Sequence, residues 1–156
     1  MEHTQKKIDF LKNDYVPALE ALDAGTQGLW GKMNVQQMIE HMSEYISIAS
    51  GRLPMQIVTP EEHLPRMQAF LATEKQFREN TPNALMADTP PPVKHATITD
   101  AVTELKGEID HFFEAYGSEP GKVLANPFFG MLGFEQQVQL LHKHATHHLR
   151  QFGVMV

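Results

Sequence analysis

Apolar residues recur at steps of three and four in several stretches of the chain, the spacing of one helical face. The sharpest stretch is 134–153, where Phe134, Val138, Leu141, Ala145, Leu149 and Phe152 share a face and Gly153 stands where a C-terminal helix cap belongs. Residues 3–24 carry Ile8, Leu11, Tyr15, Ala18, Leu19 and Leu22 in the same pattern, and Pro17 predicts a kink or a break near Val16. Asn34 is a suitable N-cap with Gln37 in the capping-box position, and Gly51 closes the helix they open. Its apolar face is Val35, Met38, Met42, Tyr45, Ile46 and Ala49. Thr99 is expected to cap another long helix, to about Tyr116, with Val102, Leu105, Ile109, Phe112 and Phe113 on its face.

Between these stretches the pattern weakens. Pro54, Pro60, Pro65, Pro82 and the run Pro90-Pro91-Pro92 break up residues 52–97, with one helical piece expected over 60–79. A connection of this length in a compact domain is often functional, which makes it a candidate cover for a site. Residues 117–133 read as a connector, with Phe128 and Phe129 packing over one end of the helices, and no alternating run is strong enough to predict a sheet. The expected fold is all-α: a four-helix bundle over 1–156, one domain, with a long crossing connection between the second and third main helices.

Composition narrows the partners. The chain has 156 residues with 42% apolar and 21% charged, ordinary for a globular protein, and a formal net charge of −6. No cluster of Lys and Arg is present, so nucleic acid is not an expected partner. With no cysteine, disulfides, thiolate catalysis and cysteine-based zinc sites are excluded. No apolar run approaches the roughly 20 residues that a membrane helix needs, and residues 1–7 are polar rather than signal-like, so a cytoplasmic protein is expected.

The histidines carry the candidate chemistry. Four of nine lie between positions 142 and 148. At about 100° per residue, His147 faces away from the apolar stripe, His142 flanks it on one side, and His144 and His148 lie on the other. His144 and His148 are one turn apart, which suits chelation of one metal ion and also occurs on solvated helix faces. His41 holds the matching offset on the second helix, where a hydrogen-bonded core-edge histidine is the plainer reading. Glu108 and His111 form an E-x-x-H pair off the apolar face and read as surface residues. Trp30 reads as a packing residue that closes one end of the core.

The segments W-G-K-M-N-V-Q-Q-M-I-E-H (30–41), N-P-F-F-G (126–130) and H-K-H-A-T-H-H-L-R-Q-F-G (142–153) resemble the DinB-like (DinB/YfiT-like) superfamily of metalloenzymes. That pattern has one histidine on the second helix and an H-x-x-x-H pair on the last. The resemblance implies a four-helix bundle with His41, His144 and His148 as ligands of a divalent ion, zinc or nickel. It also implies a thiol-dependent transferase or isomerase acting with a low-molecular-weight thiol, and often a homodimer. After His148 this chain reads Leu149-Arg150-Gln151, where many members of the superfamily read H-R-G-Q.

Three imidazoles would leave coordination positions for water or substrate, the arrangement of a catalytic site. The expected function is therefore a metal-dependent transferase or hydrolase, with Gln37, Glu44 and Gln151 as candidate hydrogen-bond partners of the ligands. The alternative is a non-catalytic bundle that binds a small molecule or a structural metal.

Overall fold

The computed structural model describes residues 2–79 and 89–156, so Pro82 lies outside the described residues. The chain is mainly α. In order, α1 (Glu2–Asp9) passes through a π-helical turn (Phe10–Asp14) into α2 (Tyr15–Glu20), and α3 (Val35–Ser50) follows a loop. A 3₁₀ turn (Glu61–His63) leads into the short α4 (Leu64–Leu71), then come α5 (Ile98–Ser118), strands β1 (Leu124–Asn126) and β2 (Gly130–Leu132), and α6 (Phe134–Gln151). No helix among the described residues is long and apolar enough to cross a membrane.

One core joins the long helical segments. Leu11, Tyr15 and Leu19 meet Met38, Met42 and Ile46 of α3, Leu105 and Phe112 of α5, and Val138, Ala145 and Leu149 of α6. Most of these side chains are almost wholly buried, and burying a large apolar side chain is worth about 1.5–3 kcal/mol. A satellite cluster of Leu71, Phe129, Leu132 and Leu140 packs α4 and the hairpin onto the outer side of α6.

The caps explain where the helices start and stop. Asn34 Oδ1 accepts from the Gln37 amide at 2.7 Å while Gln37 Oε1 accepts from the Asn34 amide at 2.8 Å, the expected capping box. Gly51 ends α3 at φ 85°, and Gly153 follows α6 at φ 84°, both in the left-handed region open to glycine. The cap of α5 is Thr97 rather than Thr99: its Oγ1 accepts from the Asp100 amide at 3.1 Å. The two threonines fit equally well by residue type, and only the chain direction at position 97, with ψ 159°, separates them.

Three further local expectations are corrected. The interruption near Pro17 is the π-helical turn Phe10–Asp14 just before it, and the helix then continues through Pro17. The extra residue in that turn relieves the clash of the proline ring with the preceding turn without breaking the segment. The helical piece expected over 60–79 stops at Leu71, and residues 74–78 run as an irregular strap. The connector over 117–133 contains a hairpin, with Leu124 opposite Leu132 and Asn126 opposite Gly130. Asn126 Oδ1 accepts from the amides of Phe128 and Phe129 at 2.9 and 3.0 Å, which makes N-P-F-F-G the turn. Strands of three residues are too short to display alternation.

Candidate metal centre

The capping box fixes where α3 begins, and His41 follows about two turns later. His144 and His148 are one turn apart on α6. The Nε2 atoms of the three rings converge: His41 to His144 is 3.0 Å and His148 to His144 is 2.9 Å. All three donor atoms lie within 4.8 Å of one another, so the group could hold a metal ion. Tetrahedral zinc with nitrogen ligands at 2.0–2.1 Å separates its donors by about 3.3–3.4 Å. The two short contacts need open by only a few tenths of an ångström.

The remaining hydrogen bonds fix which nitrogen is free. His148 Nδ1 lies 2.7 Å from Gln151 Oε1, and Gln151 Nε2 donates to the Trp30 carbonyl at 2.9 Å. With the amide nitrogen so committed, Oε1 must accept, so His148 carries its proton on Nδ1 and presents a lone pair at Nε2. His144 Nε2 therefore stands between two other nitrogens, at least one of them a bare lone pair. One N–H cannot point along both short contacts. A cation would take all three lone pairs together, and this donor set fits one.

The loop before α3 is shaped around Gln151. The Leu29 amide donates to the Gln151 carbonyl at 2.6 Å. Gly31 has φ 76°, and a Cβ there would lie 2.7 Å from Gln151 Nε2. Only glycine fits both the backbone angle and the close approach. Gln151 itself is 3% exposed.

Burial sets the charge state of the triad. It lowers His41 to about 4, with the nearby His147 as a lesser cause. It lowers His148 to about 3, helped by His41 and opposed by the Gln151 hydrogen bond. His144 is pushed well below its ordinary value by burial first and then by the other histidines. Near neutral pH all three are the uncharged imidazoles that metal ligation requires.

The wall around the triad is aromatic. Tyr45, one turn beyond His41, lies 4.7 Å from its ring and 5.0 Å from that of His144 between ring centres. Phe77 stands edge-on to His144 at 6.2 Å and to His147 at 5.7 Å. Part of the long middle connection thus covers the cluster. Phe77 falls within the span expected to be helical, and its role depends on the irregular strap that no periodicity reports. Trp30 packs against His147 at 5.4 Å, yet its carbonyl is what orients Gln151, a contribution the side chain's identity could not reveal.

Other expectations meet the structure as follows. His147 is 8% exposed rather than outward-facing, because Trp30 and Phe77 close over that side of α6. Burial lowers it to about 4, with Arg150 as a further cause and the Phe77 backbone acting the other way. His142 packs against Phe10 at 5.2 Å, on the opposite side of α6 from the triad. Gln37 spends its amide on the helix cap and on the Pro91 carbonyl at 3.0 Å. Glu44 is exposed. Neither makes a hydrogen bond to the triad among the described residues, whereas Gln151 does. Glu108 is 8% exposed and paired with Arg52 at 3.0 Å, so it is not a surface residue.

The chain is 26% identical over 102 residues to GTP cyclohydrolase 1 of Hyphomonas neptunium (strain ATCC 15444), an overlap of 63% of this chain and 50% of that protein. The chain spans about half the length of this curated relative. No family model and no solved structure matches.

Proposed function

We propose that this chain is a metal-dependent enzyme of the DinB-like kind, a four-helix bundle whose His41, His144 and His148 hold one divalent ion, zinc or nickel. The reaction is transfer to or from a low-molecular-weight thiol. The observation that carries the reading is the convergence of three Nε2 atoms, with the His148 tautomer set by Gln151. A divalent ion bound there supplies positive charge that brings the pKa of a thiol or water toward neutrality. The chain's own residues do the rest. Gln151 holds His148 in orientation, burial keeps the three rings uncharged, and Tyr45 and Phe77 exclude bulk water from one side. Three protein donors leave room for substrate. A homodimer and a cytoplasmic location go with this reading, and nucleic acid has no place in it.

A hydrolase acting through water is the second reading, favoured by the relative whose name is GTP cyclohydrolase 1. The test is a panel of low-molecular-weight thiols with electrophilic acceptors, run beside thiol-free controls, on protein stripped of metal and reloaded with zinc or nickel. Thiol consumption that requires metal and is lost in His144→Ala supports the transferase. Metal-dependent turnover without thiol supports the hydrolase. Tight metal binding with no turnover of either kind would leave a structural metal site and overturn the enzymatic reading.

A further inference from the structure

The protein carries a formal net charge of −6, but four of its 13 Lys and Arg residues line one cavity against α6. A cavity of about 330 Å³ is lined there by Lys7, Lys75, Lys143 and Arg150, with Glu74 as the one acid in its lining and Phe10 as an apolar wall. From α6 it takes Gln139, His142, Lys143, Thr146 and Arg150, which share one helical face. That face points about 160° away from the direction of His144 and His148 at 100° per residue. The cavity is separate from the triad.

Its walls are built in advance. Gln139 Nε2 donates to the carbonyls of Leu71 and Thr73 at 3.0 and 2.9 Å. Lys143 Nζ donates to the Thr73 carbonyl at 2.9 Å and to that of Lys75, and lies over the Phe70 ring at 4.8 Å. Lys7 pairs with Glu74 at 2.7 Å. Together these contacts fasten the strap after α4 onto α6 and α1.

The charge is not cancelled. Lys143 is 5% exposed, and carbonyl oxygens satisfy its hydrogens without neutralising it. Arg150 is half-buried, and its guanidinium makes no ion pair or hydrogen bond among the described residues. Among the lining side chains four cations face one carboxylate, and that carboxylate is spent on Lys7. Leaving buried positive charge uncompensated is costly. An anion reaching Arg150 would gain charge-assisted hydrogen bonds, bidentate from a guanidinium.

We propose that this cavity binds a small organic anion, a carboxylate or phosphate group on an apolar body, with Arg150 taking the anionic group, Lys143 and Lys75 adding positive charge, and the body lying against Phe10. The volume is at the lower end of the range for small-molecule sites. The inference does not rest on the metal reading.

Calorimetric titration of the full chain with phenyl phosphate, benzoate, inorganic phosphate and uncharged benzyl alcohol tests it. Phenyl phosphate or benzoate should bind, inorganic phosphate more weakly, and benzyl alcohol not measurably. The better of the two aromatic anions identifies the charged group. Arg150→Gln should weaken that binding by about tenfold, and Arg150→Lys should recover part of it. Metal removal and His144→Ala should leave it unchanged. Failure of both aromatic anions to bind at millimolar concentration would overturn the proposal. So would equal binding by Arg150→Gln, or loss of binding on metal removal.

Discussion

Helix α6 presents two chemically opposite faces. On one, the Nε2 atoms of His148 and His41 both meet that of His144, with Gln151 behind His148 and aromatic rings around them. On the other, Lys143 and Arg150 stand over a cavity dense in cations. The same two turns of helix supply both. What separates them is the rest of the chain: α3 and the Trp30 loop contribute neutral groups to the first face, whereas α1 and the strap after α4 contribute charged ones to the second. Histidines a few positions apart thereby take different roles, and the role is assigned by the facing element.

The largest effect should come from removing a ligand. His41→Ala, His144→Ala and His148→Ala should each lower zinc affinity on the order of 100-fold or more, because a site of three protein donors loses one of them. His142→Ala, on the cationic face, should leave zinc affinity nearly unchanged. His147→Ala should leave affinity within a few-fold but reduce stability by about 1–3 kcal/mol, since the contacts with Trp30 and Phe77 are lost. Titration of the purified variants against a competing chelator, beside urea unfolding, checks all five. An equal loss of affinity in His142→Ala would erase the distinction between the faces.

Much of the first face was legible in the sequence. Helical spacing placed His144 and His148 on one flank and His41 at the same offset on α3. The capping box of Asn34 and Gln37 and the closing glycines Gly51 and Gly153 marked helix ends to within a residue. The sequence could not show what connectors do. His147 faces away from the apolar stripe, as its position requires, but an irregular strap and a loop return to bury it, and neither has a period. Glu108 reads as surface by its angle on α5 and is buried by an arginine that arrives from beyond the end of α3. The cavity on the second face depends on Lys7 and the strap after α4 meeting α6, contacts about 70 or more residues apart in sequence.

A smaller loss of metal affinity should follow from Gln151→Leu. The substitution keeps the bulk but removes the acceptor that holds the proton on His148 Nδ1, and outer hydrogen bonds of this kind are worth about 10- to 100-fold in affinity. The low end is expected, because burial still favours the neutral ring. Anion binding on the opposite face should be unaffected. An unchanged zinc affinity in Gln151→Leu would mean that the triad fixes its own tautomers.

Stability of the metal-free protein should depend on pH. Burial holds His41 and His147 at about 4 and His148 at about 3 in the folded chain, against about 6.5 unfolded. Between about pH 6.5 and 4 the unfolded state therefore binds more protons. Stability is fully present above pH 6.5, declines as pH falls below it, and levels off near the folded values. His142, on the second face, is lowered to about 4 by burial as well, with Lys7 as a lesser cause, and adds to the same loss. Urea unfolding at pH 7 and pH 5 should show lower stability at pH 5, and saturating zinc should widen the difference, because protons compete with the ion for the same nitrogens. Equal stability at the two pH values would mean that these histidines are open to water.

The smallest effect concerns the single acid of the cationic face. Glu74 accepts from Lys7 at 2.7 and 2.8 Å, but its side chain is 70% exposed, so the pair contributes little to folding. Glu74→Gln keeps the size of the side chain and removes its charge, leaving four cations around the cavity with no acidic side chain among them. Affinity for phenyl phosphate should rise by a few-fold, the gain muted by solvent screening, and should fall back as salt is added. Stability should change by less than about 1 kcal/mol. Zinc affinity should not change, because Glu74 does not contact the triad. A drop in phenyl phosphate affinity would show that Glu74 matters by holding Lys7 and the strap in place, so that the cavity depends on shape more than on net charge.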